Sequence, residues 1–276
     1  MPNTRQVKVR RKVSEVSKSA DEIVYGLKRE YLEKICAEGS RIDGRKFDEI
    51  RTAVVNTNFV PRAEGSAEVR LGDTRVLVGI KIEQGEPFPD TPNSGILTTN
   101  AELLPMASPT FESGPPSEDA IELARVVDRG IRESKMIDLD KLVIKEGEKV
   151  WVVFIDMHIL DYDGNLIDAC SLGAVAALLE AKVPASKIGA EDFPLPINHI
   201  PINVTFAKIG NTLLADPNLE EEEVASARLS VATNENGDVV AMQKGLGGSI
   251  TKEELFSAVD TSIKVGKDIR KRVLGK

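Results

Sequence analysis

Cysteine is scarce in this sequence, which has two cysteines in 276 residues. Cys36 and Cys170 lie far apart and form no Cys-x-x-Cys pair, so we expect small apolar fillers of the core rather than a metal site or a disulfide framework. Histidine is equally scarce: His158 and His199 have no ligand spacing, and we expect both to be structural. The sequence therefore predicts no metal ion and no bound cofactor.

A long apolar run is also lacking. The longest one is broken by Asp156, His158 and Asp161, so we expect no segment that crosses a membrane. No apolar stretch follows Met1, and we therefore expect no signal peptide and a cytoplasmic protein.

Basic residues are fewer than acidic ones, with 36 Lys and Arg against 44 Asp and Glu and a formal net charge of −8. A chain of this charge does not coat nucleic acid with its whole surface, so a polyanion has to bind at a local basic patch. The basic residues at both chain ends are expected to be solvated. They are Arg5, Lys8, Arg10, Arg11 and Lys12 at one end and Arg270, Lys271, Arg272 and Lys276 at the other.

Apolar residues are most concentrated in residues 149–181. Residues 151–160 form a nearly unbroken β-branched and aromatic run, which predicts a central strand covered on both faces. Residues 161–165 have the composition of a turn, and the small and apolar residues from Leu166 onward predict a buried helix. This strand-turn-helix unit should form the core, and the turn before the helix is where an anion would be held.

The rest of the chain alternates between strand-like and helical patterns. Ser117 and Thr251 are predicted N-caps of two helices. An amphipathic helical arm is predicted at 13–36 from apolar residues three and four apart, namely Val13, Val16, Ala20, Val24, Leu27, Tyr31 and Ile35. The helix after Ser117 is expected to bury Ile121, Leu123, Ala124, Val127 and Ile131. Predicted strands cover residues 51–59, 67–71, 75–82, 96–106, 142–144, 204–209, 212–215, 227–233 and 239–244.

Each half of the chain contains antiparallel hairpins followed by a helix, the first ending near Met136 and the second near Leu274. This echo predicts an α+β fold built from a duplicated unit. We expect an N-terminal helical arm at 1–40 and a single domain at 41–276, with pseudo-repeated halves at about 41–138 and 139–276.

Four segments together resemble the RNase PH-like proteins: RIDGR at 41–45, DTPNSG at 90–95, FESGPP at 111–116 and AIELARVVDR at 120–129. The likeness extends from about residue 35 to the C-terminus. More closely, the chain is similar to the non-catalytic RNase PH-like subunit of the archaeal exosome ring. The resemblance implies a duplicated ββαβα fold of the ribosomal protein S5 domain 2-like type.

The same resemblance implies partners and an activity. The ring is implied to be a hexamer with three copies each of this subunit and of a catalytic RNase PH-like sister, and S1/KH-type cap proteins are implied to bind it. Single-stranded RNA is threaded through the central pore and degraded from its 3' end. The role implied for this chain is to structure the sister's active site and to bind RNA.

The turn at 164–166 is where catalytic relatives hold phosphate. Phosphorolysis needs hydrogen-bond donors and a cation around orthophosphate, and catalytic relatives supply a Gly-Ser-Arg or Gly-Thr-Arg turn. This chain has Gly164, Asn165 and Leu166 instead. Leucine offers phosphate neither a hydrogen bond nor a charge, so the sequence predicts a pocket that does not work and a subunit that is not an enzyme.

Asp216 and Glu222 match, in part, an acidic pair that catalytic relatives use at the leaving oxygen. Glu222 is the nearest match to the second acid, a glutamate where the family has aspartate. Our alternative hypothesis is that the chain is itself a phosphate- or metal-dependent exoribonuclease that uses these two residues. The composition alone predicts a turn at 216–218 and a solvated acidic run at 220–223.

Arg125 and Arg129 are the candidate RNA-binding residues. They stand four apart on the predicted helix, so both guanidinium groups lie on one face at a spacing that can hold neighbouring phosphates of a single strand. The pattern alone also fits a solvated face paired with Glu122, Asp128 and Glu133. The resemblance favours RNA binding by these two residues, and Arg132 is a weaker third candidate. A further alternative is a self-assembling homohexamer that does not contact RNA.

Overall fold

The computed structural model describes residues 25–276. Of the predicted N-terminal helix, residues 25–37 are helical and form α1, whereas Val13, Val16, Ala20 and Val24 lie outside the described residues. No helix within residues 25–276 is both long and apolar enough to cross a membrane.

Helix α1 packs against the second sheet. Leu32 and Cys36 are buried against Ile209 and neighbouring apolar residues, whereas Leu27 and Tyr31 are exposed. The residues that α1 buries therefore differ from the apolar residues whose spacing predicted the helix.

The remaining elements follow the order strands, helix, strands, helix in each part of the chain. The strands are β1 Ala53–Thr57, β2 Gly65–Leu71, β3 Thr74–Gly85, β4 Ile96–Leu103, β5 Val143–Lys145, β6 Lys149–Asp161, β7 Lys182–Val183, β8 Phe193–Pro194, β9 Ile202–Ile209, β10 Thr212–Ala215, β11 Ala227–Thr233 and β12 Val239–Gly245. The helices after α1 are α2 Glu118–Glu133, α3 Leu166–Glu180, α4 Leu219–Val224 and α5 Lys252–Arg272.

Strand β6 lies inside a six-stranded sheet, between β3 and β4. Five of the strands follow the order β1-β2-β3-β6-β4, and the sixth, β5, also pairs with β6. Strand β6 runs antiparallel to β3 and parallel to β4. Its side chains alternate beyond Val153: Ile155, Met157 and Ile159 are buried, whereas Phe154 and the other residues of that face are half-exposed. The expected cover on both faces holds for residues 150–153, which are all buried, but is wrong beyond Val153, where the described elements cover one face only.

Helix α3 is buried on nearly every side, as predicted. It packs against β2 and β3 of the first sheet and against β9 of the second. Small residues permit the close approach: a side chain at Gly65 of β2 would place its Cβ 2.3 Å from the Ala177 carbonyl oxygen. Cys170 lies in this helix, buried and unpaired, as an apolar filler.

The second sheet has four strands in the order β10-β9-β11-β12. Every residue of β9 is buried. Val204 and Phe206 on one face belong to a cluster with Ala258 of α5, and Thr205 on the other face contacts α3. The predicted capping box of α5 is present, with the Thr251 side chain accepting from the Glu254 N–H.

Helix α2 connects the two sheets, because it packs against both β4 and β12. Ser117 caps it as predicted, with its side chain accepting from the Ala120 N–H. Leu123, Val127 and the other predicted core positions are buried, but Ile121 is 50% exposed, so that part of the prediction was wrong. Ile121 lies on the side of α2 that neither β4 nor β12, the edge strands that contact this helix, covers.

One basic residue at the C-terminal end also departs from expectation. Arg270 is buried, and its Nη1 donates to the carbonyl oxygens of Ile200 and Thr233 at 3.0 and 2.9 Å. Burial lowers the pKa of this guanidinium. Arg270 therefore fixes the end of α5 to the second sheet instead of lying in solvent.

Candidate functional site

The turn between β6 and α3 has a tightly constrained backbone. Asn165 adopts a left-handed conformation with φ of 55° and caps α3, its side chain accepting from the Asp168 N–H. Gly164 has φ of 81°, and a Cβ there would lie 2.5 Å from the carbonyl carbon of Asn218. Only glycine fits this position, so the glycine shared with catalytic relatives has a structural reason.

Leu166 begins α3 and lines a cleft with Phe111, Tyr162, Glu222 and Arg228. The rings of Phe111 and Tyr162 stack with centroids 5.3 Å apart on one wall of this cleft. Next to the predicted phosphate-binding turn the structure therefore presents isobutyl and aromatic groups, and the guanidinium of the cleft, Arg228, is paired with Glu122 at 2.7 Å and lies 3.6 Å from Glu222.

The start of α3 is instead occupied by a carboxylate of the chain itself. Glu222 Oε2 accepts the Asn165 N–H at 2.9 Å and the Tyr162 hydroxyl at 3.3 Å. Burial and the charge of Glu222 raise the pKa of Tyr162, so this hydroxyl stays protonated and donates. A negative charge at a helix N-terminus is the favourable arrangement, and here Glu222 supplies it.

Asp216 is a second internal anion, fully buried below the turn. Its Oδ1 accepts from Arg51 Nη2 at 2.8 Å and Asn165 Nδ2 at 2.6 Å. Its Oδ2 accepts from the Arg51 N–H at 2.7 Å, Arg51 Nε at 3.0 Å and Arg45 Nη1 at 3.0 Å. Two guanidinium groups therefore converge on the carboxylate of Asp216, which the predicted turn at 216–218 did not indicate.

The charge state of Asp216 follows from these contacts. Burial by itself raises its pKa, but the hydrogen bonds and charge of Arg51, together with Asn165, outweigh burial and hold the pKa below its ordinary value. The same carboxylate raises the pKa of Arg51 against the lowering effect of burial. Asp216 is thus a structural group whose contacts favour the ionised form.

The RIDGR segment and the acidic run close the cluster from the other side. Arg41 has no exposed side-chain surface and forms a bidentate pair with Glu221, with contacts of 2.9 and 2.6 Å. Glu221 also completes the capping box of α4 with Asn218. The acidic run at 220–223 is therefore not wholly solvated, since Glu221 is buried and Glu222 partly so.

Asp168 lies next to Asp216 and has the opposite charge preference. Its Oδ2 accepts from Asn165 Nδ2 and the Thr205 N–H, both at 2.8 Å, and its Oδ1 lies 2.7 Å from Thr205 Oγ1. Burial raises the pKa of Asp168 to about 7, and the charge of Asp216 adds to that effect against the hydrogen bonds. No local pattern in the sequence indicates this shift, because the raised pKa of Asp168 depends on burial and on a residue 48 positions away in the chain.

Arg51 is the central cation of the cluster and was not singled out from the sequence. Besides Asp216, its Nη1 donates to the carbonyl oxygen of Asp163 at 2.6 Å and to the Asp163 carboxylate at 3.2 Å. A single arginine two residues before a strand carries no signal of this kind, since its partners are distant in sequence. The arrangement neutralises charge internally and leaves no guanidinium of this cluster free for an external anion.

The candidate RNA-binding arginines lie on the exposed side of α2. Arg125 and Arg129 are exposed, and Arg125 makes no side-chain hydrogen bond or ion pair with any residue in 25–276. Arg129 Nη1 donates to Gln243 Oε1 of β12 at 2.8 Å. Arg132 instead pairs with Asp128 in two 2.9 Å contacts and donates to the Leu97 carbonyl oxygen.

The two histidines each pair with a single carboxylate. His158 Nδ1 lies 3.0 Å from Glu102, and His199 Nδ1 lies 2.7 Å from Glu235. Within the part of the chain that the structure describes, no group of three or more His, Cys, Asp or Glu side chains is arranged to hold a metal ion.

Comparison with known protein families gives two matches. Residues 49–184 match domain 1 of the 3' exoribonuclease family, RNase PH, and residues 199–265 match domain 2 of the same family. The first match ends after α3 and the second begins before β9, so each includes one of the two large sheets.

Curated relatives match over nearly their whole length. The Exosome complex component Rrp42 of Thermoplasma volcanium is 56% identical over 92% of this chain and 98% of the relative. The protein of that name from Pyrococcus furiosus is 54% identical over 93% of this chain and 96% of the relative.

Solved structures confirm the predicted α+β fold of the RNase PH type. A chain of the Archaeoglobus fulgidus exosome with RNA bound to the active site superposes with a TM-score of 0.88 at 50% identity, covering 91% of this chain and 99% of that one. A chain of an archaeal exosome core gives a TM-score of 0.84 at 46% identity, covering 92% and 98%. Rice Rrp46, at 18% identity and a TM-score of 0.65 over 84% of this chain and 99% of its own, shares the fold.

Proposed function

Because the chain belongs to the 3' exoribonuclease family of RNase PH-like proteins, we propose that it is the non-catalytic RNase PH-like subunit of an archaeal exosome core. In this role the chain structures the active site of a catalytic RNase PH-like sister and binds single-stranded RNA during degradation from the 3' end. The name Exosome complex component Rrp42 carried by relatives with more than half of their residues identical supports the assignment to this complex.

One observation carries the non-catalytic part of the proposal: the anion positions around the α3 turn are filled by the chain's own carboxylates. Glu222 accepts the Asn165 N–H at the helix start, and Asp216 takes the donors of Arg51 and Arg45. To reach the donors of Arg51 and Arg45, orthophosphate would have to displace the buried carboxylate of Asp216. At the helix start it would have to displace Glu222 and would lie beside the isobutyl group of Leu166.

Catalysis by Asp216 and Glu222 is disfavoured by the same contacts. A general acid or a metal ligand must reach the leaving oxygen of RNA, but Asp216 has no exposed surface and is enclosed by guanidinium groups. Its lowered pKa also leaves it without a proton to donate at neutral pH. In our proposal Asp216 and Glu222 stabilise the turn.

The assembly that we propose is a ring of three heterodimers with the catalytic sister, bound by S1/KH-type cap proteins, in the cytoplasm. Similarity over nearly the full chain to a subunit chain of an archaeal exosome core supports such an assembly. RNA binding is assigned to Arg125 and Arg129, whose exposure on α2 supports contact with phosphates.

Phosphate-dependent decay of a 5'-labelled single-stranded RNA tests the proposal. The chain alone, the catalytic sister alone and the mixture are compared at equal subunit concentration. We expect no decay by this chain alone and at least about tenfold faster decay by the mixture than by the sister alone, because positioning the substrate contributes effects of this size or larger. Phosphate-dependent decay by the isolated chain that Asp216→Ala abolishes would establish the enzyme hypothesis instead.

A further inference from the structure

The three arginines on the outer side of α2 have different partners. Arg132 is held by the carboxylate of Asp128 through two 2.9 Å contacts. Arg129 is held by the amide oxygen of Gln243 at 2.8 Å, from strand β12. An amide fixes the direction of a guanidinium without cancelling its charge, whereas a carboxylate does both. Arg129 is therefore oriented and still fully cationic, and Arg132 is neutralised.

The Gln243 contact also selects a side of the helix. Arg125 and Arg129 border two surface hollows, one toward β4 that includes Asp128 and Glu133, and one toward β12 that includes Ile121 and Gln243. The hydrogen bond from Arg129 to Gln243 draws this guanidinium toward the β12 side.

We infer that Gln243 is a positioning residue for RNA: it holds Arg129 on the β12 side of α2, so that Arg129 and Arg125 together bind RNA phosphates in the hollow between α2 and β12. This inference rests on the proposed RNA-binding role of the two arginines. It adds Gln243, a residue of β12 that lies more than 100 positions from Arg129 in the chain, and it defines a path for the RNA.

The lining of that hollow suits a single-stranded nucleotide. Two carboxylates, Glu118 and Glu122, also line the hollow, and Glu122 accepts from Arg228 Nη2 at 2.7 Å. The two guanidinium groups therefore share the hollow with one carboxylate that has no cationic partner within residues 25–276. Ile121, one helical turn before Arg125, is 50% exposed and offers an apolar surface to a base. Gln243 Nε2 makes one long hydrogen bond of 3.5 Å, which leaves a donor for a phosphate oxygen.

A double-mutant cycle on the assembled complex tests the inference. Gln243→Leu removes the acceptor without changing charge, and affinity for a labelled single-stranded RNA is measured with and without Arg129→Ala. We expect Gln243→Leu to weaken binding about three- to tenfold when Arg129 is present, the range for one hydrogen bond, and to have almost no effect in the Arg129→Ala background. Met242→Leu, on the opposite face of the same strand, serves as the control and should leave affinity unchanged.

A second variant separates orientation from charge. Gln243→Glu keeps an acceptor but gives Arg129 the kind of partner that Arg132 has, so we expect weaker RNA binding with a shallower salt dependence at an unchanged melting temperature. The inference would be overturned if Gln243→Leu lowered RNA affinity equally with Arg129 and with Arg129→Ala. It would also be overturned if Arg129→Ala lowered RNA affinity and Gln243→Leu did not. If Arg125→Ala/Arg129→Ala itself leaves RNA affinity intact, the RNA contact in the proposed function fails first.

Discussion

At the scale of single residues, the turn before α3 holds two neighbouring aspartates with opposite pKa shifts. Burial raises the pKa of both, but Arg51 reverses the shift at Asp216 while Asp168 has only neutral donors around it. Asp168 therefore titrates at about 7 in the folded chain and near its ordinary value of 3.8 in the unfolded one. The native state binds the extra proton between these values, so Asp168 stabilises the fold most at low pH and loses that contribution as pH rises toward 7.

We predict that Asp168→Asn removes this pH dependence. The side-chain oxygen of Asn replaces Oδ2 as the acceptor from Asn165 and Thr205. The amide nitrogen of Asn replaces the protonated Oδ1 beside the Thr205 hydroxyl. That hydroxyl then donates to Ser230 Oγ at 2.8 Å. The free energy of unfolding of the wild type should fall by about 2 kcal/mol relative to the variant between pH 5 and pH 7. Urea denaturation of the isolated chain at both pH values measures it.

The control for this experiment is Asp260→Asn, on the exposed side of α5. Its unfolding free energy should run parallel to that of the wild type across the same pH range. A parallel profile for Asp168→Asn as well would show that Asp168 is already ionised at pH 5 in the folded chain.

Sequence is most informative at residues whose chemistry is local. Leu166 is visible in the turn itself, and the structure places its isobutyl group in that cleft, but the loss of phosphate binding there stays a prediction. Arg51 and Glu221 were missed because their roles come from partners 165 and 180 positions away, and no local pattern records such contacts.

At the scale of elements, the close packing of α3 on the first sheet depends on Gly65 in β2. A Cβ there would lie 2.3 Å from the Ala177 carbonyl oxygen and 2.9 Å from Ala181 Cβ. The obstructing atoms belong to the helix backbone and to a short side chain, so neither can rotate away. Helix α3 would have to move, and with it the turn that carries Asn165.

Gly65→Ala is therefore expected to destabilise the chain by about 2 kcal/mol or more, as overpacked core substitutions do. Gly79→Ala is the matched control in the neighbouring strand β3, because nothing lies within 4 Å of a Cβ at that position. Its effect should stay within about 0.5 kcal/mol. Thermal or urea unfolding of both variants measures the difference, and equal stabilities would contradict the packing argument.

The sequence predicted most elements but not which faces they bury. Strands β10 and β11 have the bounds expected from the pattern, because short alternating runs between turns are a local signal. The half-exposed face of β6 beyond Val153 was missed, since an apolar residue does not record whether another element reaches it.

At the scale of the whole molecule, the charge distribution restricts where RNA can bind. A chain with a net charge of −8 repels a polyanion over most of its surface, so contact depends on a few cations that acidic neighbours do not cancel. On α2 these are Arg125 and Arg129, whereas Arg132 is paired with Asp128.

We predict that Arg125→Ala/Arg129→Ala makes RNA binding by the assembled complex less dependent on salt. Loss of two phosphate contacts to a single strand should reduce the slope of log K against log salt by about 1.4. Fluorescence anisotropy over a KCl series measures the slope, and gel filtration checks that the ring still forms. Arg132→Ala changes the charge of the same helix by one unit and should leave the slope nearly unchanged. A similar reduction of the slope by Arg132→Ala would show that the general charge of α2, and not contacts by Arg125 and Arg129, sets the salt dependence.

The buried pair of Arg41 and Glu221 has a consequence for biosynthesis, because it joins residues separated by 180 positions. The hairpins of the first sheet close between near neighbours and can form while translation continues. The ion pairs with Asp216 and Glu221 cannot form during that time, since these two acidic residues are synthesised only after about four fifths of the protein has been made. Until then Arg41, Arg45 and Arg51 lack their buried partners Glu221 and Asp216. Asp43 and Asp163 are already present beside Arg45 and Arg51, so a nascent chain stalled before codon 216 should expose a surface that is only partly neutralised to the RNA around it.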